Sequence, residues 1–305
     1  MESPLSEQGV TVVVPTVGRE KFVLDTVRDL LAQHHRPLEI LIVDQSDKQP
    51  DELLALVNRN RETVSYRRVA FRGSARARNY GWQLAQYDTV VFVDDDIRCA
   101  PNLVSEHLRV LQLPGVGLVA GGVESVGQPQ GQGPPTGKFA RWTATPILGF
   151  AANGEFEIDH VPEGNFSVRK EVMERVGGID ETFDVPAALY EGTDLSLRVK
   201  DAGFRIYFNG KARLIHLAAP AGGNRVLEIP RYFWGLAHNR AIIIRRHLRW
   251  FQQPVAITRL GLLALAYAAH YKTAAVLATL VTGYCTGFKT GSQRPVCTRH
   301  VSPAS

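Results

Sequence analysis

Residues 10–14 (VTVVV) form an unbroken, mostly β-branched run that stops at Pro15, the pattern of a strand covered on both faces. Over 20–33, Val23, Val27, Leu30 and Leu31 recur at helical spacing with Asp25, Arg28 and Asp29 between them, which predicts an amphipathic helix. A second apolar run, 38–43 (LEILIV), ends at Asp44. Residues 51–58 then read as a helix and 64–69 as a short strand. A helix over 75–86 leads into the strongest strand, 89–93 (TVVFV), which ends at Asp94. Strand and helix alternate throughout, which predicts an α/β fold with a doubly wound, mostly parallel sheet. Ligands in such sheets bind beyond the carboxyl ends of the strands, so Pro15, Asp44 and Asp94 should face one crevice.

From 114 to 138 the chain changes character, and the run GQPQGQGPPTGK is expected to be an exposed, mobile loop. It is not a phosphate-binding Walker loop, because no Gly stands five positions before Gly137 and Phe139 replaces the required Ser or Thr. Residues 168–177 and 193–202 read as helices and 204–208 (FRIYF) as a strand. Residues 231–250 combine a helical pattern with arginines and aromatics. Residues 255–288 are mostly apolar but interrupted by Arg259, His270 and Lys272, so each piece is short for a membrane span. A buried helix pair, a pair lying in a membrane interface and true spanning helices all remain open. The expected organisation is an α/β domain over 9–228, split into 9–100 and 101–228, a basic apolar helical segment over 229–289, and a disordered tail over 290–305.

Charge changes this picture at one end. The 305-residue chain carries a net +5, yet Glu228 is its last acidic residue, and ten Lys or Arg follow it. Such a segment points to a polyanion, and its long aliphatic stretches fit an anionic membrane surface better than nucleic acid. Three scattered cysteines exclude a disulfide scaffold, and MESPLSEQGV is no secretory signal. The expected location is cytoplasmic, peripheral on the cytoplasmic face of the membrane.

Asp94-Asp95-Asp96 follows the strongest strand directly. Three adjacent carboxylates repel one another, and a divalent cation that prefers oxygen would offset this. If strand geometry continues, Asp94 and Asp96 project to one side and Asp95 to the other. An acidic turn or helix cap is the plainer alternative.

Taken together, VVVPT with Arg19, IVDQSD, GSARARNYGW, VVFVDDDI, EGNFSVRKEVMERVGGIDETFD and YEGTDLSLRVKDAGFRIYF resemble glycosyltransferase family 2 over about residues 9–220. The resemblance implies the GT-A fold and inverting transfer of a sugar from a nucleotide-sugar donor to a saccharide or lipid-linked acceptor, with Mn²⁺ or Mg²⁺. It also implies roles for single residues. Pro15, Thr16 and Arg19 would lie by the nucleotide, and Asp44 would accept hydrogen bonds from the base or ribose. Gly73 would start a turn into a helix that offers Arg78 and Asn79 to the diphosphate. Asp94 would contact the ribose with Asp95 beside it, Asp96 would hold the metal, and His216 would complete the metal shell. Glu163, Gly164 and Asn165 would line the donor-sugar or acceptor pocket.

The family's usual Glu-Asp-x-Asp-Leu reads Glu191-Gly192-Thr193-Asp194-Leu195 here, so the base that takes the acceptor proton is Glu191 or Asp194. Asp194 could instead cap a helix over 195–202, which shifts the expectation toward Glu191. Two other readings compete. Sugar-nucleotide nucleotidyltransferases share similar domains but usually have a glycine-rich loop after the first strand, where PTVGREK has one Gly. A non-catalytic nucleotide-sugar-binding or membrane scaffold protein is suggested by Gly192.

Overall fold

The computed structural model describes residues 8–48, 50–126, 136–185, 189–219 and 226–300. The first half alternates as the sequence predicts: β1 (Val10–Thr16), α1 (Glu20–Leu31), β2 (Leu38–Asp44), α2 (Asp51–Arg59), β3 (Val64–Arg68), α3 (Ser74–Leu84) and β4 (Thr89–Val93). β1 lies parallel between β2 and β4, and β2 is parallel to β3. Its run has no polar face because both faces are covered. Val13 joins one apolar layer with Leu41, Phe92 and Phe166, while Val10, Val12 and Val14 join the opposite layer with Ile40, Ile42 and Val91. Thr11, the polar interruption, is satisfied by donating to Glu39 at 2.8 Å.

The second half is β5 (Ile97–Cys99), α4 (Leu103–Leu111), β6 (Val116–Ser125), β7 (Lys138–Ala140), β8 (Thr145–Ile147), β9 (Glu155–Glu157), β10 (Asn165–Arg169), α5 (Lys170–Val176), α6 (Glu191–Asp201) and β11 (Arg205–His216). The main sheet among the described residues runs β3-β2-β1-β4-β10-β6-β11-β5, with β9 beside β11. β10 is antiparallel to both β4 and β6, and β6 is parallel to β11. The sheet is therefore mixed and mostly parallel, as expected.

Residues 116–125, to which the sequence pattern assigned no element, are a largely buried strand. Its glycines mark close packing rather than looseness: a Cβ on Gly121 would sit 2.2 Å from the Ala212 carbonyl. The run over 127–135 lies outside the described residues, while Thr136 is buried and Lys138 starts β7. Residues 165–169, partly assigned to a helix, form β10, because NFSVR is needed to bridge β4 and β6.

The C-terminal segment is helical as expected and forms α7 (Ile229–His247), α8 (Gln253–His270) and α9 (Ala275–Thr290). α7 is a core helix, with Phe233, Ala237, Ala241 and Ile242 fully buried. α9 approaches it along Gly283, Gly287 and Gly291; a Cβ on Gly287 would meet the His238 carbonyl at 2.0 Å. The outward sides of α8 and α9 leave Leu262, Leu265 and Val281 more than half exposed. No helix among the described residues is long and apolar enough to cross a membrane.

Beyond α9, the stretch expected to be a disordered tail is held in place as far as residue 300. Val296 N–H donates to Asp180 at 3.0 Å, Thr298 N–H to Glu181 at 2.8 Å, and His300 N–H to Gln83 at 2.8 Å. The His300 ring stacks on Phe71 at 5.3 Å.

Candidate active site

The carboxyl ends of β1 and β2 meet with Pro15 opposite Val43 and Thr16 opposite Asp44. Asp44 is buried; it accepts from Ser46 N–H at 2.8 Å and from the Tyr66 hydroxyl at 2.6 Å. Burial and this carboxylate push the Tyr66 hydroxyl well above its usual range. A cavity of about 380 Å³ opens here, lined by Thr16, Gly18, Asp44, Ser46, Lys48 and Arg72.

The three aspartates after β4 divide as strand alternation predicts. Asp95 turns inward, accepting from Thr16 at 2.7 Å and from Arg19 at 2.9 Å; burial pushes its carboxyl up to about 6. Asp94 and Asp96 face the other way. β5 runs antiparallel to the end of β11 and sets Ile97 opposite His216, which brings that imidazole to Asp96. His216 Nε2 lies 3.2 Å from Asp96 Oδ1, and one ligand atom from each of Asp94, Asp96 and His216 falls within 4.8 Å of the others. Burial opposes the charge on Asp96, but contact with His216 and the Ala219 N–H hold its carboxyl below the ordinary value. Asp96 Oδ1 is buried and receives no well-aligned hydrogen bond. Two carboxylates, an imidazole and an orphaned buried oxygen fit a divalent cation. Arg19, 3.3 Å from Asp96, ties the triad to Asp95.

α3 carries the next layer. Gly73 has φ +136°, and a Cβ there would press on Asp184 at 2.2 Å, so only glycine suits this turn. The helix N-terminus is not open as expected: Ala75 and Arg76 N–H groups both donate to Asp184 at 2.9 Å. Arg78 is buried between Glu191, with which it forms an ion pair, and Asp94 at 3.2 Å. Ser74 donates to the other Glu191 oxygen at 2.9 Å. Burial first, against the opposing pull of Arg78, pushes Glu191 up to about 7, and burial with Glu191 nearby raises Asp184 to about 7.

Asn79 does not reach this crevice. It is fully buried, donating to Ile179 and Glu181 and accepting from Trp82, so it locks α3 to the following turn. Asn165 is likewise internal: it donates to the Gly122 and Ala212 carbonyls and contacts His107, so it cannot line a ligand pocket.

Glu163 and Gly164 do line a cavity, of about 740 Å³, with Asp94, Thr145, Leu148, Tyr190 and His216. Gly164 is packed so closely that a Cβ would sit 2.1 Å from Asp94 Oδ2. Gly192 is explained the same way, since its Cβ would meet Glu163 Cγ at 3.0 Å and the Val161 carbonyl at 3.2 Å. α6 begins at Glu191, after Tyr190 in a left-handed conformation at φ +73°.

Asp194 therefore sits inside the helix and is not its cap. Its carboxylate is fully buried and receives Arg198, Arg246 and His247, each at 2.8 Å. Burial would raise it, but Arg198, His247 and Arg246 hold it far below the carboxylate range. Arg246 also reaches Asp180 at 2.9 Å, so this cluster ties α6 to α7. Ser74, Asp184 and Tyr190 were not singled out from the sequence, although each lies within one of the quoted motifs, GSARARNYGW, EGNFSVRKEVMERVGGIDETFD and YEGTDLSLRVKDAGFRIYF.

A family model described as Glycosyl transferase family 2 matches residues 11–177. The pre-mycofactocin glycosyltransferase of Mycobacterium tuberculosis is 26% identical over 222 residues, 69% of this chain. The chain spans 43% of that relative's length. The solved structure of GalNAc-T7 with UDP, GalNAc and Mn²⁺ superposes with a TM-score of 0.66 at 15% identity, covering 93% of this chain and 56% of that one. A mannosyltransferase from Pyrobaculum calidifontis, in complex with GDP-Man and Mn²⁺, gives 0.57 at 18% identity, covering 93% and 84%.

Proposed function

This chain belongs to glycosyltransferase family 2 and has the GT-A fold, and on that premise we propose that it transfers a sugar from a nucleotide-sugar donor to an acceptor hydroxyl, inverting the anomeric centre. The observation that carries this is the convergence of Asp94, Asp96 and His216, with Arg78 pairing both Asp94 and the buried Glu191, and with Asp94 and His216 on the wall of the larger cavity. The smaller cavity beside Asp44 takes the base and ribose, with Pro15, Thr16 and Arg19 at its edge. Asp94, Asp96 and His216 would hold Mn²⁺ or Mg²⁺, which as a Lewis acid offsets the charge developing on the departing diphosphate. Arg78 lends fixed positive charge nearby.

Inversion in one displacement requires a base on the acceptor side, and Glu191 is assigned that role. A carboxyl raised toward neutrality is a stronger base than an ordinary one and is still ionised in a useful fraction. Ser74 and Arg78 orient it. Asp194 is unsuited to the role because three cationic groups already surround it. The acceptor is a saccharide or lipid-linked hydroxyl in the larger cavity. The basic C-terminal segment, with the apolar outer sides of α8 and α9, would rest on an anionic membrane at the cytoplasmic face.

The test is release of nucleoside diphosphate from a panel of nucleotide sugars with Mn²⁺ or Mg²⁺. Glu191→Gln should lower turnover by ~10²–10⁴ while donor binding persists. Pyrophosphate release would indicate a nucleotidyltransferase instead, and donor binding without any turnover would indicate a scaffold.

A further inference from the structure

The buried or nearly buried arginines Arg19, Arg78, Arg198 and Arg246 each face a carboxylate within 3.3 Å. Arg240 does not. It projects from α7 with 4% of its surface exposed, and among the described residues no carboxylate pairs with it. Its Nη2 donates to the Thr143 carbonyl at 2.5 Å and the Thr145 hydroxyl at 2.6 Å, and the guanidinium also interacts with the Tyr190 hydroxyl. Its Nε–H is buried without an acceptor. The charged neighbour that acts on it is another cation, Arg259, exposed on α8.

A buried cation with only neutral partners is costly, and a chain that places four other arginines against carboxylates has the means to avoid it. The position of this one explains the exception. Thr145 and Tyr190, its two hydroxyl partners, both line the large cavity that Asp94, Glu163 and His216 also line. Tyr190 directly precedes the assigned base, and its left-handed backbone fixes where its ring stands in the cavity wall. The donor diphosphate has its own charge partners at the triad and Arg78, so the charge behind Thr145 and Tyr190 is left for the acceptor.

We infer that Arg240, together with the hydroxyls of Thr145 and Tyr190, forms an anion subsite that recognises a phosphate or carboxylate group carried by the acceptor. This rests on the glycosyltransferase reading of the same cavity. The subsite selects acceptors in which the reacting hydroxyl and an anionic group belong to one molecule, and it disfavours neutral alcohols and saccharides.

The experiment uses the full chain in the presence of a chelator. Inorganic phosphate and phenyl phosphate should raise its unfolding temperature, and neutral phenyl glucoside should not. Arg240→Met keeps the aliphatic length without the charge; it should lose that shift and bind phenyl phosphate roughly tenfold or more weakly, because the positive charge behind the two hydroxyls is removed. Arg240→Lys should restore part of the affinity. If Arg240→Met does not fold, Thr145→Val and Tyr190→Phe remove only the hydroxyls and should each weaken phenyl phosphate binding.

Equal phosphate shifts in the wild type and in Arg240→Met, or unchanged binding in both hydroxyl variants, would overturn the subsite. If Arg240→Met instead lost discrimination between UDP-glucuronate and UDP-glucose while keeping phenyl phosphate binding, the anion would belong to the donor, and the acceptor assignment would fall. Nucleoside diphosphate release, measured in parallel, separates the two levels. Release without Arg240-dependent phosphate binding defeats this inference alone, whereas such binding without release from any donor defeats the transferase reading.

Discussion

Replacing Asp194 with asparagine keeps its shape and removes its charge. In the native protein that charge is fully buried and meets Arg198, Arg246 and His247, each at 2.8 Å. Removing one partner of a buried ion cluster costs about 3–5 kcal/mol, because the remaining charges stay desolvated. Arg246 keeps Asp180, so the lower figure applies. With an unfolding entropy of about 2.1 cal/mol/K per residue, ~3 kcal/mol corresponds to a fall of roughly 5 °C in unfolding temperature.

The pH dependence has a definite sign. A carboxylate whose folded value is depressed stabilises fully above its unfolded value, about 4, and loses that contribution as pH falls toward the folded value. Despite burial, its bonds to Asp194 and Asp201 raise His247, whose contribution is complete below about 6.5 and lost as pH rises through the raised value. The gap between wild type and Asp194→Asn should therefore be widest between about pH 4 and 6.5. Calorimetric melts across pH, with turnover measured well below the melting range, give the assay. An Asp194→Asn protein that melts with the wild type yet has no turnover would refute the reasoning and return the base role to Asp194.

Asp96→Asn should abolish calorimetrically detected Mn²⁺ binding and metal-dependent turnover without loss of fold; full activity in excess chelator would contradict the assigned triad. Turnover should rise with pH through about 7 as Glu191 ionises, and this limb should vanish from the residual activity of Glu191→Gln. Deleting residues 295–305 removes the bonds to Asp180, Glu181 and Gln83 and should destabilise by about 1–3 kcal/mol, each hydrogen bond being worth about 1 kcal/mol before the entropy of ordering is subtracted. An unchanged melting temperature would show that this stretch is incidental. The full chain should co-sediment with anionic vesicles and release from them at high salt; equal binding to neutral vesicles would assign the association to the apolar faces of α8 and α9 alone.

The first half of the fold was legible because β1, β2 and β4 are runs dominated by β-branched and aliphatic residues, as strands covered on both faces must be. The grouping of Asp94 with Asp96 matches simple alternation, although β4 ends at Val93 and Asp95 and Asp96 lie in a bend. β6 and β10 were not legible. Gly121 and Asn165 look like turn residues, yet each is required by a neighbour far away in sequence, the Ala212 carbonyl and His107 respectively. The choice between Glu191 and Asp194 was similarly closed to local reasoning, because Arg246 and His247 arrive from α7, about fifty residues later. Those residues also correct the charge argument: Arg240 and Arg246 count toward the basic C-terminal segment but serve the interior, so fewer than ten of its charges face outward.

The contact between Gly164 and Asp94 has a consequence for descent. Every glycine codon is one base change from an alanine codon, and a methyl group at position 164 would press directly on the carboxylate of Asp94. β10 behind it, anchored by Asn165 to Gly122 and Ala212, has no need of Asp94. The cavity beside Asp44 lies on other strands altogether. On the proposed reading, a single transversion in a duplicated gene would crowd Asp94 and disturb the triad while leaving the cavity beside Asp44 as it is. In a lineage of such copies, the residue at 164 would sort working descendants from mute ones.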